Sequence, residues 1–206
     1  MEKFTRVTAA ACPLPAENID TDQILPARYL KLPRKGEHGK VLFHDLRFDA
    51  AGNERPDFPL NRPGWRDAGI IVAGRNFGGG SSREAAVYAL YDYGIRCVIA
   101  PSFGDIFSQN ATKNGLLTAV ASEAETGALM TALMRGAAPA VTVDLESQSI
   151  VCGEWRCRFA IDPARRTRLL NGWDDLDVTI SFREQISTFK AADRKARPWA
   201  VPSQAP

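Results

Sequence analysis

Gly69-Ile70-Ile71-Val72-Ala73-Gly74-Arg75-Asn76-Phe77-Gly78-Gly79-Gly80-Ser81-Ser82-Arg83-Glu84 is the stretch whose reading decides the fold. The β-branched run Ile70–Val72 predicts a short buried strand. Three consecutive glycines stop that strand and let the backbone take positive φ angles close to a ligand. Ser81 and Ser82 supply helix-capping hydroxyls. Arg83–Tyr93, with Ala85, Ala86, Ala89 and Leu90 at helical spacing, predicts a helix closed by Gly94.

The same alternation continues outward. Cys97–Ala100 reads as a strand stopped by Pro101, residues 104–114 as a helix, Leu116–Val120 as a strand, and Glu123–Arg135 as a helix with Leu129, Met130, Leu133 and Met134 on one face. Residues 140–145, 149–152 and 155–161 predict a hairpin meander, 162–171 a short basic helix and 174–192 a final helix. Toward the N-terminus, residues 3–12 read as one strand and Asn18–Asp22 as a polar turn. From Lys31 to Pro63 the chain makes a long excursion rich in Gly, Pro and charge, with an apolar island at Val41–Phe43. Strand–helix–strand units in the middle and antiparallel pairs at the ends predict an α/β fold with a mixed sheet flanked by helices. The expected organisation is one domain over residues 1–197, with 28–63 as a loop region, and a disordered tail over 198–206.

With 26 basic and 24 acidic residues the chain is nearly neutral, which argues against general nucleic-acid binding. No apolar run of about 18 residues is present and no leader pattern opens the chain, so a cytoplasmic protein is expected. The cysteines Cys12, Cys97, Cys152 and Cys157 form no Cys-x-x-Cys pair, and His38 and His44 lie far from them; no metal site of its own is expected. Cys152 and Cys157 flank a turn at Gly153-Glu154 and are expected to be reduced structural thiols.

Chemistry concentrates in the glycine turn. Backbone N–H groups of Gly78, Gly79 and Gly80 at a helix start favour an anion, Ser81 and Ser82 add hydroxyls, and Arg83 adds a planar fork matched to a carboxylate or phosphate. A Walker loop requires a Lys that is missing here. The dinucleotide fingerprint requires Gly or Ala where Arg83 stands, and a nucleophile elbow requires a glycine at the same place. These mismatches weigh against a nucleotide loop and a serine hydrolase elbow, and the third competing reading is a small-acid site with Ser and Arg roles.

Asn76–Glu84 resembles the signature of the aconitase-type swivel-domain family, most of all that of 3-isopropylmalate dehydratase small subunits. Asn18–Pro26, Phe43–Phe48, and Ala100–Phe107 with Asn110 and Asn114–Leu117 resemble further blocks of the same family, in the same order, over residues 3–190. The resemblance implies a hydro-lyase half that isomerises 2-isopropylmalate to 3-isopropylmalate in leucine biosynthesis. It implies a large-subunit partner carrying a 4Fe–4S cluster, no cofactor on this chain, and a di- or tricarboxylic acid substrate. By the same resemblance Ser81 is the base, Arg83 the carboxylate binder and Ser82 an assisting group; Thr21 and Asp22 line the site. Lys31, Leu32 and the neighbouring Arg34 and Lys35 fall where relatives contact the variable part of the substrate. Two positions depart from the pattern: Gly79 stands where the family usually has Cys, and Ala85 where it usually has His. They leave open another substituted malate or citrate-type acid, or a non-catalytic small subunit that binds a partner.

Overall fold

The apolar strands are apolar on both faces because both faces are covered. In the computed structural model, which describes residues 1–34, 36–135 and 140–200, four strands form an all-parallel sheet in the order β2-β3-β4-β5: β2 (Ala11–Leu14), β3 (Ile70–Ala73), β4 (Cys97–Ala100) and β5 (Leu117–Val120). Alternate side chains serve two cores. Ile71, Ala73, Val98 and Ala100 pack under α3 (Glu84–Tyr93), α4 (Asp105–Lys113) and the excursion. Ile70, Val72, Cys97, Ile99, Leu117 and Ala119 face α5 (Glu123–Met134) and a second sheet.

That second sheet is antiparallel, in the order β1-β6-β7-β8: β1 (Arg6–Ala9), β6 (Val141–Asp144), β7 (Ser149–Cys152) and β8 (Trp155–Arg158). The parallel and antiparallel pairings expected from sequence thus fall into two sheets. The single strand expected over residues 3–12 is two strands. Ala10 separates them, and each pairs with a different sheet. Pro13 sits inside β2, which it tolerates because β2 is an edge strand. Val141, Val143, Ile150 and Cys152 point inward. On the outer face Thr8 and Thr142 are hydroxyl-bonded at 2.9 Å, and the Arg6 fork donates to Asp144 at 2.7 and 2.9 Å. Cys157 pairs with Ile150 and Cys152 with Trp155 across the hairpin, and all four cysteines are free thiols.

Two expectations at the C-terminal side are corrected. Met134 is exposed, and α5 buries Thr126, Leu129, Met130 and Leu133 instead. After α6 (Pro163–Asn171), the final helix is two: α7 (Asp175–Ser181) and α8 (Arg183–Ala196), broken at Phe182. The Ser181 hydroxyl donates back to Val178 O at 2.7 Å, competing with continued helix there. Of the tail expected to be disordered, Pro198–Ala200 forms a 3-10 turn, and 201–206 lie outside the described residues.

Asp144 also accepts from the Ser147 N–H at 2.8 Å, and these bonds, with Arg6, hold its carboxyl down at about 2. A carboxyl lowered in the folded state stabilises above its ordinary value near 4 and loses that contribution as pH falls toward 2. Asp144→Asn is expected to cost about 1 kcal/mol at pH 7, modest because Arg6 is exposed, with the difference from wild type shrinking below pH ~4. Urea midpoints measured across that range check it.

Candidate active site

The chain leaves β3 through Asn76, whose φ of +57° is one that asparagine tolerates. Its N–H donates to Ser102 Oγ at 2.8 Å, and its side-chain amide donates to Asn18 Oδ1 at 2.9 Å. Phe77 is fully buried against Phe103 and Phe107. Gly78, at φ +72°, lies flat under the Phe107 ring: a Cβ there would stand 2.2 Å from a ring carbon. Its N–H donates to Ile19 O at 2.7 Å. Gly80 is also left-handed, at φ +85°. Gly79 is not, and the nearest atoms a Cβ on it would meet are those of the Asn76 amide, at 3.1 Å, so a side chain here needs a small shift of that amide.

Ser81 and Ser82 are exposed and do not cap the helix. Helix α3 begins at Glu84, with Arg83 as an extended N-cap residue that makes no side-chain cap bond. The expectation that the helix begins at Arg83 is therefore corrected. The first-turn charge is the favourable Glu84.

A second motif is brought here from sixty residues away. Asp20 caps α1 (Thr21–Ile24) in a reciprocal box with Gln23, at 2.7 and 2.9 Å. Thr21 is buried; its N–H donates to Gly79 O at 3.0 Å and its hydroxyl to Ser81 O at 2.8 Å. Asp22 pairs with Nη1 of Arg83, whose side chain is 17% exposed. Thr21, Asp22, Gly78–Gly80, Ser81 and Arg83 are thus one constellation. Beside it, a pocket of about 400 Å³ is lined by the glycines, Ser81, Phe103 and the start of α4. A larger cavity of about 680 Å³, lined by residues such as Leu14, Ile19, Phe58 and Trp65, is mainly apolar and shares no residue with the turn. Its one arginine, Arg62, is bonded to the carbonyls of Pro56 and Asp57.

Of the excursion residues, Lys31 is exposed, Leu32 is half-buried, and Lys35 lies outside the described residues. Arg34 is tied down. Its guanidinium lies 3.7 Å over the Tyr88 ring and donates to Asn114 Oδ1 at 2.7 Å, while the Asn114 amide donates to Glu84 at 2.8 Å. Sequence reasoning assigned no roles to Asn18, Asn76, Ser102 or Asn114, although all four lie in the motif blocks. The clue for Asn18 and Asn76 was their residue type, since both occupy positive φ.

Residues 1–124 match the aconitase C-terminal domain family. A 3-isopropylmalate dehydratase small subunit from Rhodospirillum centenum is 51% identical over 98% of this chain and 100% of its own length. The chain belongs to this family. Another member, from Brucella canis, is 48% identical over 97% of this chain and all of its own. The crystal structure of a 3-isopropylmalate dehydratase from Methanocaldococcus jannaschii superposes with a TM-score of 0.65 at 27% identity, covering 90% of this chain and 99% of that one. Among the described residues there is no group of three or more His, Cys, Asp or Glu placed to hold a metal ion, and no helix is long and apolar enough to cross a membrane. Burial pushes the Cys12 thiol up to about 12 and Cys157 to about 11, so neither offers a thiolate.

Gly78→Ala must accept both a left-handed φ and the Phe107 ring. It is expected to cost about 2–4 kcal/mol in urea unfolding of the purified chain.

Proposed function

We propose that this chain is the small half of a 3-isopropylmalate dehydratase, which interconverts 2- and 3-isopropylmalate by dehydration and rehydration, and that Ser81 and Arg83 are its working residues. One observation carries the assignment of residues: two motifs about sixty residues apart meet through the Thr21–Ser81 bond and the Asp22–Arg83 pair. Near-full-length kinship at about half identity supports the reaction.

The geometry supplies a division of work. Thr21 holds the Ser81 carbonyl, which fixes the backbone while the Ser81 side chain stays exposed at the end of the turn. A neutral serine hydroxyl is too weak a base for this step, so Ser81 acts as its alkoxide, which becomes the hydroxyl on taking the proton and needs positive surroundings to form. The half-buried Arg83 guanidinium and the N–H groups of the turn beyond Gly78, whose own N–H is spent on Ile19, provide them. In this reading Ser81 takes the proton from the carbon beside a substrate carboxylate, and Arg83 offsets the charge that develops on that carboxylate. Asp22 engages one edge of the guanidinium and orients it, leaving other N–H donors for the substrate, with Ser82 assisting. Lys31 and Leu32 face the substituent that distinguishes one malate from another.

Among the described residues no group of cysteines and carboxylates is placed to hold a 4Fe–4S cluster, and in this reading the cluster sits on the large subunit. The compartment we assign is the cytoplasm.

Anaerobic assembly with the large subunit should give hydration of 2-isopropylmaleate that needs both chains. Absence of turnover from a cluster-loaded, correctly assembled pair rejects the reading. In the same assay Ser81→Ala should lower kcat by about 10^2–10^4-fold. Because Ser81 is exposed, its stability should change by less than about 0.5 kcal/mol. Normal turnover in that variant excludes Ser81 as the base. Arg83→Lys, which exchanges a fork for a point charge, should lower kcat/KM by about tenfold or more.

A further inference from the structure

The stretch that carries Lys31 and Leu32, at the start of the excursion, is held on both sides. On one side Tyr29 packs against His44, with ring centroids 5.0 Å apart, and Arg28 donates to Asp45 at 2.9 Å; both partners belong to α2 (His44–Arg47). On the other side Arg34 is the fastening point. Its guanidinium stacks on Tyr88 of α3 and bonds Asn114 at the end of α4, and Asn114 in turn holds Glu84, the neighbour of Arg83. Further along, buried His38 meets the edge of the same Tyr88 ring, and Gly39 lies against the backbone of Asp92 and Tyr93, so closely that a Cβ would stand 2.6 Å away. Glu84, Tyr88 and Asp92 recur every four residues along one side of α3. One helix therefore carries Arg83 at its N-terminus and the seat of the excursion along its flank.

We propose that Arg34 is a positioning residue. It fastens Leu30–Pro33 to Tyr88 of α3 and to Asn114 at the end of α4, and so sets which malate substituent is accepted without itself touching the substrate. This rests on the reading that Lys31 and Leu32 meet that substituent. Arg34 suits the task because a planar guanidinium stacks on a ring face and donates in its own plane at the same time. Between the two anchors the stretch makes short turn bonds, Leu30 N–H to Ala27 O at 3.2 Å and Leu32 N–H to Tyr29 O at 3.1 Å. Releasing Arg34 should therefore loosen these two amides before anything in the sheets.

Hydrogen exchange on the full-length chain tests the fastening without any assay of activity. Arg34→Ala and Tyr88→Leu should each speed exchange at Leu30 and Leu32 by about tenfold, leaving β3 and β4 amides unchanged, and Arg34→Lys should fall between. Unchanged protection at Leu30 and Leu32 in Arg34→Ala overturns the proposal, as does loosening that extends through β3 and β4. The assembled enzyme tests the consequence. Both variants should raise KM for 2-isopropylmalate by about five- to tenfold, lower kcat by less, and narrow the preference over 2-methylmalate. If Arg34→Ala abolishes substrate binding while Tyr88→Leu leaves it intact, Arg34 touches the substrate and the positioning role is wrong. A wild-type assembly that turns over neither acid rejects the functional reading. In that case the exchange result still decides whether Arg34 is the fastening.

Discussion

The close crossing at Gly78 is the constraint on which the site depends. Its N–H bonds Ile19, its ring neighbour is Phe107, and its carbonyl lies where a Cβ on Gly104 would stand 2.5 Å away. Three segments therefore touch through bare backbone: the approach to α1, the exit from β3 and the turn from β4 into α4. A side chain at Gly78 or Gly104 would force them apart. The place is the carboxyl end of adjacent parallel strands, where open α/β sheets leave room for ligands between diverging connections. Here the room is narrowed by the mutually packed phenylalanines Phe77, Phe103 and Phe107, two of which line the pocket beside the turn.

The excursion solves a different problem. A connection this long carries many backbone polar groups, and it is ordered by satisfying them locally while sinking a few apolar anchors. Leu42, Phe43 and Leu60 are fully buried, and Arg47, also buried, donates to Asn61 at 3.0 Å and to Leu42 O at 3.4 Å. Its guanidinium also lies over the Phe48 and Tyr93 rings, 5.1 and 5.0 Å from their centroids, which further offsets the cost of burying the charge. With its base fixed in this way, the exposed stretch around Lys31 can differ in sequence without disturbing the sheets.

Where sequence reading fell short, the misses share a cause. The strand–turn–helix around Ile70–Tyr93 was legible because β-branched clustering, glycine and helical spacing are local signals. Helix α3 starting at Glu84 rather than Arg83 was not, since the extended backbone of Arg83 accompanies its pairing with Asp22 across the fold. Met134 fits the apolar stripe of α5 by spacing, yet it is left exposed at the last residue of the helix. The split of residues 3–12 into two strands reflects two sheets competing for one segment, which no window of ten residues records.

The sequence by itself determined the inventory: a glycine turn between strand and helix, the Ser81, Ser82 and Arg83 side chains on it, motif blocks in family order, and cysteines without metal-ligand spacing. It did so because propensity, turn chemistry and motif spacing act over a few residues. Only the tertiary structure decided that Thr21 grips the Ser81 carbonyl, that Asp22 pairs with Arg83, and that Arg34 turns to Tyr88 and Asn114. Those contacts join segments roughly twenty-six to eighty residues apart, counting the Asn76–Ser102 link. Pairings at such separations are set by how two sheets and their helices pack together, for which the chain carries no periodic signal.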